Sequence, residues 1–290
     1  MKPALNAPSF ILTATCPACS GIVAAVSSYL AEHGCYISEL AQFDDEDSGK
    51  FFMRAVFRQD ATSTKGSDAI RAGFAVVAES FGMDWNWVNA QQPCRVLIMV
   101  SRFDHCLRDL LYRHQKGELN MEITAVVSNH LDLRPMVERE GIRYIYLPIS
   151  SANKAQQEKA LLDIVEDTGT ELVVLARYMQ ILSDDLCQQL RGRAINIHHS
   201  FLPGFKGAKP YHQAYERGVK LIGATAHYVT ADLDEGPIIE QDVQRVDHTF
   251  RPDALVAIGR DTETQALARA VKAHTEHRVF LDGNKTVMFR

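Results

Sequence analysis

Residues 196–240 read NIHHSFLPGFKGAKPYHQAYERGVKLIGATAHYVTADLDEGPIIE. The apolar alternation before this stretch predicts a strand over Arg193 to Ile197. Asn196 and His198, two positions apart, leave a strand on the same face and converge on one group. Downstream, Asp232, Asp234 and Glu235 crowd a turn before Gly236-Pro237, where a loop carboxylate can approach an imidazole. An amide donor, an imidazole and a carboxylate are the parts acyl-group chemistry needs: an oxyanion stabiliser, a proton carrier and an orienter.

Working outward, strand patterns recur at Arg95 to Val100, Met121 to Ser128, Arg143 to Tyr146 and Glu171 to Leu175. The helical patterns Asp104 to His114, Leu133 to Glu140 and Ala155 to Thr168 separate them. Such alternation predicts an α/β unit with a doubly wound, largely parallel sheet. Ligands of that architecture sit beyond the carboxyl ends of the strands, where Asn196 and His198 emerge. Gly223 to Val229 alternates as another strand and carries His227, which reads either as a buried hydrogen-bonding partner or as a site residue. Pro252 to Glu276 is a long helical pattern. Val279 to Asp282 and Lys285 to Phe289 form a hairpin turning at Gly283-Asn284.

The amino-terminal ninety residues have a different rhythm: strand Ser9 to Thr15, helix Gly21 to His33, strands Cys35 to Phe43 and Phe51 to Phe57, helix Ser67 to Phe81 and strand Asp84 to Asn89. The order is βαββαβ, a ferredoxin-like split arrangement. Ala90-Gln91-Gln92-Pro93, polar and proline-bearing, marks the boundary between domains at 1–90 and 91–290.

At 290 residues the chain has room for two ordinary domains, and its net charge of -5 points to neither nucleic acid nor an anionic membrane as a partner. There is no long apolar run and no signal-peptide pattern, so the expected compartment is the cytoplasm. Six dispersed cysteines suit a reduced environment. Cys16-Pro17-Ala18-Cys19 is a CxxC without the redox context or the second ligand pair that chemistry would need. It reads as small residues in a turn entering a helix, and no metal site is expected.

Several motifs carry a family resemblance. Asn196-Ile197-His198, Ser200-Phe201-Leu202-Pro203, Lys206-Gly207 and Asp234-Glu235-Gly236 resemble the core signature of the formyltransferases that act on 10-formyltetrahydrofolate. That resemblance implies a catalytic trio of Asn196, His198 and Asp234. Leu175 to Leu182, LARYMQIL, is similar to the family's pterin-pocket segment. It marks Arg177, Tyr178, Met179, Ile181 and Leu182 as substrate-binding candidates, with a surface charge as the default for Arg177. His199 and His227 join the same list. His199 reads as a water-binding or acceptor-shaping group, or as a packing change. Lys206, Lys209 and His212 read as a solvated face.

Residues 10–43 resemble an ACT domain, a small module that pairs with copies of itself and binds amino acids. The cues are Cys16-Pro17 followed by Ser20-Gly21-Ile22-Val23, so Cys16, Pro17, Gly21 and Ile22 are the regulatory candidates. Ala18 stands where such domains carry aspartate. An amino-acid effector and a ligand-free assembly module both remain open, and pairing implies a homo-oligomer. The segment after the first catalytic-domain strand, Ser101-Arg102-Phe103-Asp104-His105-Cys106, lacks the glycines of a sugar-phosphate loop. Formyltransferase core plus ACT domain is the architecture of the formyltetrahydrofolate deformylase family. The resemblance implies hydrolysis of 10-formyltetrahydrofolate to formate and tetrahydrofolate without a cofactor, supplying formate for purine biosynthesis.

Overall fold

Strand and helix periodicities sort the chain into two units in the computed structural model, which describes residues 8–60, 63, 66–201 and 210–290. One unit spans residues 1–93 with Glu276–Phe280 and Val287–Arg290. The other spans Cys94–Thr275 with Leu281–Thr286.

The first unit runs β1 (Ser9–Pro17), α1 (Ile22–Glu32), β2 (Cys35–Asp45), β3 (Lys50–Gln59), α2 (Ser67–Ser80) and β4 (Asp84–Asn89). Its sheet is antiparallel in the order β2-β3-β1-β4, the small sheet domain that βαββαβ implies. Ile22, Val26 and Leu30 of α1 and Ile70, Phe74 and Ala78 of α2 are buried at four-residue spacing. They close over Leu12, Phe57 and Trp87. The end of the chain adds Phe280, whose ring meets Phe52 edge-on at 5.8 Å.

Cys16-Pro17 is not a turn. Both residues extend β1, with Cys16 opposite Phe51 and Pro17 at the strand's last position, opposite Lys50. Cys16 and Ile22 are core residues, whereas Pro17 and Gly21 are exposed. Burial, with Cys19 as a lesser cause, pushes the Cys16 thiol up, so it remains a protonated packing group.

The second unit contains β5 (Cys94–Val100), α3 (His105–Gln115), β6 (Met121–Ser128), α4 (Arg134–Arg139), β7 (Tyr144–Tyr146), α5 (Lys154–Asp167), β8 (Leu172–Leu175), α6 (Asp184–Gln189), β9 (Ala194–His198), α7 (Pro210–Glu216), β10 (Leu221–Tyr228), β11 (Ile238–Arg245) and α8 (Pro252–Thr275). The hairpin β12 (Val279–Asp282) and β13 (Lys285–Met288) ends the chain. The seven-stranded sheet has the order β11-β10-β9-β8-β5-β6-β7. It is parallel from β7 to β9 and antiparallel across β9-β10-β11. The short helix α6 and the edge strand β11 are additions to the sequence expectation. Most of β11 is exposed or half-buried, so its sequence lacks a clean apolar period.

After β5 and β6 on one side the chain crosses to β8 on the other, which opens a crevice beyond the carboxyl ends of β5 and β8. Ser101 stitches that crevice. Its buried hydroxyl donates to Asn129 Oδ1 after β6 at 2.7 Å and accepts from the Met179 N–H after β8 at 3.0 Å. Ser101→Ala is expected to cost about 1–3 kcal/mol, because it strips partners from the buried Asn129 carbonyl and the Met179 amide. Urea unfolding of variant and parent checks this.

Candidate active site

Strand β9 carries the site. It lies parallel to β8 and antiparallel to β10, and the latter register puts Asn196 opposite His227 and His198 opposite Thr225. Residues directly opposite on antiparallel strands share a face at short Cβ separation, which brings Asn196, His198 and His227 together. Asn196 Nδ2 lies 3.3 Å from His227 Nε2, and His227 Nδ1 donates to the Tyr228 carbonyl at 2.9 Å. His198 and His227 are buried, at 5% and 2% exposure.

The Asp232–Gly236 turn brings Asp234 over these rings. Its Oδ2 lies 3.1 Å from His198 Nδ1 and its Oδ1 lies 3.7 Å from His227 Nε2. Burial pushes the Asp234 carboxyl up, but the two imidazoles outweigh it and hold the group below the ordinary carboxylate range. The carboxylate is therefore charged at neutral pH, and His198 Nδ1 is its donor. His198 Nε2 is buried and has no hydrogen-bond partner among the described residues.

These groups line a cleft of about 200 Å³. Leu175, Tyr178, Met179, Ile181 and Leu182 form its apolar side, with the loop Val229–Ala231 opposite. Tyr178 and Leu182 are buried in the core, whereas Met179 and Ile181 are 50% and 61% exposed. An apolar wall kept open in this way suits a flat ring system. Arg177 and His199 also line the cleft.

Arg177 is not a surface charge: its side chain is 10% exposed. Its guanidinium donates to His199 Nδ1 and lies 5.0 Å over the Phe103 ring. Desolvation, then Arg177, then His198 lower the His199 pKa from 6.5 to about 4. The exposed His212 begins no contact with the cleft; Leu202, Pro203, Lys206, Gly207 and Lys209 of the sequence motifs lie outside the described residues.

Sequence reading passed over Glu263, which lies on α8 and is 2% exposed. Its carboxylate meets His105 Nε2 at 2.7 Å, the Tyr211 hydroxyl at 2.8 Å and Arg177 Nε at 3.3 Å. The Arg177 contact is ionic, without hydrogen-bond geometry. The available signal was spacing: Glu263 continues the buried stripe Leu255, Gly259, Glu263, Leu267, Val271. Gly259 belongs to the same contact, since a Cβ there would fall 2.1 Å from Tyr211 Cζ. Among the described residues, His105, Cys106 and Glu263 bring three metal-ligating atoms within 4.8 Å. Glu263 is already engaged by two hydrogen-bond donors and a guanidinium, and burial pushes the Cys106 thiol well up, so this donor set fits a metal ion poorly.

The sequence profile of the formyl transferase family matches residues 94–271. A formyltetrahydrofolate deformylase from Corynebacterium sp. strain P-1 is 55% identical over 97% of this chain and 98% of its own length. The chain belongs to the formyltetrahydrofolate deformylase family. The crystal structure of a deformylase from Burkholderia mallei ATCC 23344 superposes with a TM-score of 0.93 at 55% identity, covering 98% of this chain and all of that one. A glycinamide ribonucleotide transformylase from Symbiobacterium toebii aligns with 69% of this chain and 95% of its own, at 26% identity and a TM-score of 0.64.

The Asp-x-Gly of this deformylase-family chain has a steric cause. A Cβ on Gly236 would lie 1.7 Å from the Tyr228 carbonyl oxygen, so the turn can lie flat on the end of β10 only with glycine there. Gly236→Ala is expected to push the turn off β10 and to lose His198–Asp234 coupling and most activity while the fold persists; activity assays beside circular dichroism check it.

Acid sensitivity follows from His199. Its folded pKa of about 4 lies below its unfolded 6.5, so the unfolded chain binds the extra proton between those values. Stability is full above pH 6.5 and falls by up to about 3 kcal/mol as pH drops toward 4. Removing this titration with His199→Asn should flatten the slope in that window, as read by urea unfolding across pH.

Proposed function

We propose that Asn196, His198 and Asp234 carry out the hydrolysis of 10-formyltetrahydrofolate to formate and tetrahydrofolate, the reaction of this family. The observation that carries this assignment is His198: Nδ1 is committed to a charged carboxylate, while Nε2 is buried in the cleft and has no hydrogen-bond partner among the described residues. Such an imidazole presents a lone pair to a water molecule.

His198 takes a proton as that water attacks the formyl carbon, and Asp234 stabilises the resulting imidazolium. The carbonyl oxygen becomes an oxyanion that accepts from Asn196 Nδ2. His227, donating through Nδ1 to the Tyr228 carbonyl, keeps Nε2 3.3 Å from Asn196 Nδ2 and so packs against the amide. The C–N bond then breaks, His198 returns its proton to the departing nitrogen, and formate and tetrahydrofolate leave. The apolar wall at Tyr178, Met179, Ile181 and Leu182 takes the pterin, and Arg177 and His199 bound the reacting end. The chemistry needs only water and these side chains, so no cofactor or metal is invoked.

For the amino-terminal unit, an amino-acid effector would meet exposed Pro17 at the end of β1 and exposed Gly21 in the turn that follows, since Cys16 and Ile22 are occupied in the core. Assembly as a homo-oligomer is supported by Tyr36, Leu40 and Phe43, exposed at 45%, 43% and 45% on the edge strand β2. A cytoplasmic setting suits a folate substrate and six free thiols. Among the described residues no helix is long and apolar enough to cross a membrane.

The test is formate release from 10-formyltetrahydrofolate with no amine present. Asn196→Ala should lower kcat ~10²–10³-fold, and His198→Ala about 10²–10⁴-fold; near-parental turnover by either folded variant overturns the assignment. Replacing Tyr36, Leu40 and Phe43 together with serine should shift sedimentation toward the monomer.

A further inference from the structure

Beyond the catalytic trio, a second chain of polar contacts reaches the cleft from beneath. Glu263, buried on α8, is held by His105 at 2.7 Å and Tyr211 at 2.8 Å, and pairs with Arg177 Nε at 3.3 Å. Arg177 takes a left-handed backbone, φ 65°, uncommon for a long side chain. Its other face lies on Phe103, and its NH1 donates to His199 Nδ1. The His199 ring in turn stacks on His198, with centroids 5.1 Å apart and planes at 27°.

This chain decides a tautomer. A guanidinium has only donors, so Nδ1 of His199 must supply a lone pair, and the proton of the neutral ring sits on Nε2. His198 has the opposite arrangement, with its proton on Nδ1 toward Asp234 and its lone pair on Nε2. Two stacked imidazoles therefore offer an acceptor and a donor at equivalent ring positions. Water matches the pair: it donates one proton to His198, accepts from His199 with one lone pair and attacks with the other. An amine does not, because its nitrogen has one lone pair, and accepting from His199 removes the electrons needed for attack.

We propose that Glu263 is a positioning and specificity-determining residue: through Arg177 it holds His199 as the Nε2–H donor that orients water, and disfavours an amine, against His198. This rests on the assignment of His198 as the base in the hydrolytic reaction. Among the described residues, the charged and titratable groups facing His199 are Arg177, Glu263, His198 and Asp234. Removing Arg177 takes away a cation and leaves the Glu263 charge without its guanidinium partner, and both changes raise the His199 pKa toward its ordinary value.

The experiment compares the full-length parent with Glu263→Gln, Arg177→Met and the double variant. Formate release is followed across pH, with and without glycinamide, and formylglycinamide is measured alongside. Each protein's fold is checked by thermal unfolding. Glu263→Gln should lower kcat ~10–100-fold, in line with the cost of small misplacements, with KM nearly unchanged and a measurable share of formyl groups passing to glycinamide. Arg177→Met should move the acid limb of the kcat profile upward, and adding Glu263→Gln to it should cause little further loss. Unchanged kcat and product partition in folded Glu263→Gln, or an equal loss in both backgrounds, overturns the proposal. The ¹⁵N shifts of His199 in the parent decide the tautomer whether or not the variants fold: a proton on Nε2 is expected, and one on Nδ1 overturns it. A parent that releases no formate sinks the functional assignment instead, a separate result from the tautomer.

Discussion

The site depends on the two different edges of β9. One pairs parallel with β8 and anchors the strand in the doubly wound sheet; the other pairs antiparallel with β10 and returns the chain over its own carboxyl end. Parallel pairing alone would leave Asn196 and His198 at the mouth of a crevice, as in any such sheet. The antiparallel return adds His227 directly across from Asn196 and delivers the Asp232–Gly236 turn to the rings. Gly236, which has no room for a Cβ against the Tyr228 carbonyl, sets how close that turn can come.

A half-buried carboxylate, Asp234, and a buried one, Glu263, meet opposite ends of the same pair of stacked histidines. Asp234 acts on His198 directly, and Glu263 acts on His199 through Arg177. For each carboxylate, burial favours the neutral acid, but hydrogen-bond donors and nearby cations win and leave it charged. Each is expensive to bury alone and tolerable only with its partners in place. This explains why His105 from α3, Tyr211 from α7 and Arg177 from the loop after β8 converge on Glu263.

Much of the architecture was legible from periodicity. The helices α1, α2 and α3 carry 3.6-residue patterns, whereas β5 and β8, buried along almost their whole length, read as short apolar runs. The failures have local causes. Cys16-Pro17 suggested a turn because proline usually ends a strand, yet Pro17 occupies the last position of β1, where the lost N–H costs little. Strand β11 escaped notice because it is an edge strand with few buried residues. Arg177 was assigned to the surface by residue type, although its charge is paired in the interior.

The sequence by itself determined the family motifs, the same-face pairing of Asn196 with His198, and the turn that carries Asp234, because spacing along a strand and glycine at a tight turn are local properties. Tertiary structure alone decided which distant groups meet them. His227 joins by strand register, and Glu263 joins by the packing of α8 beneath the cleft. Proton positions on the two histidines follow from partners 36 and 22 residues away along the chain, Asp234 for His198 and Arg177 for His199. Hydrogen bonding acts over about 3 Å of space, and no local pattern encodes which remote donors and acceptors will arrive within that distance.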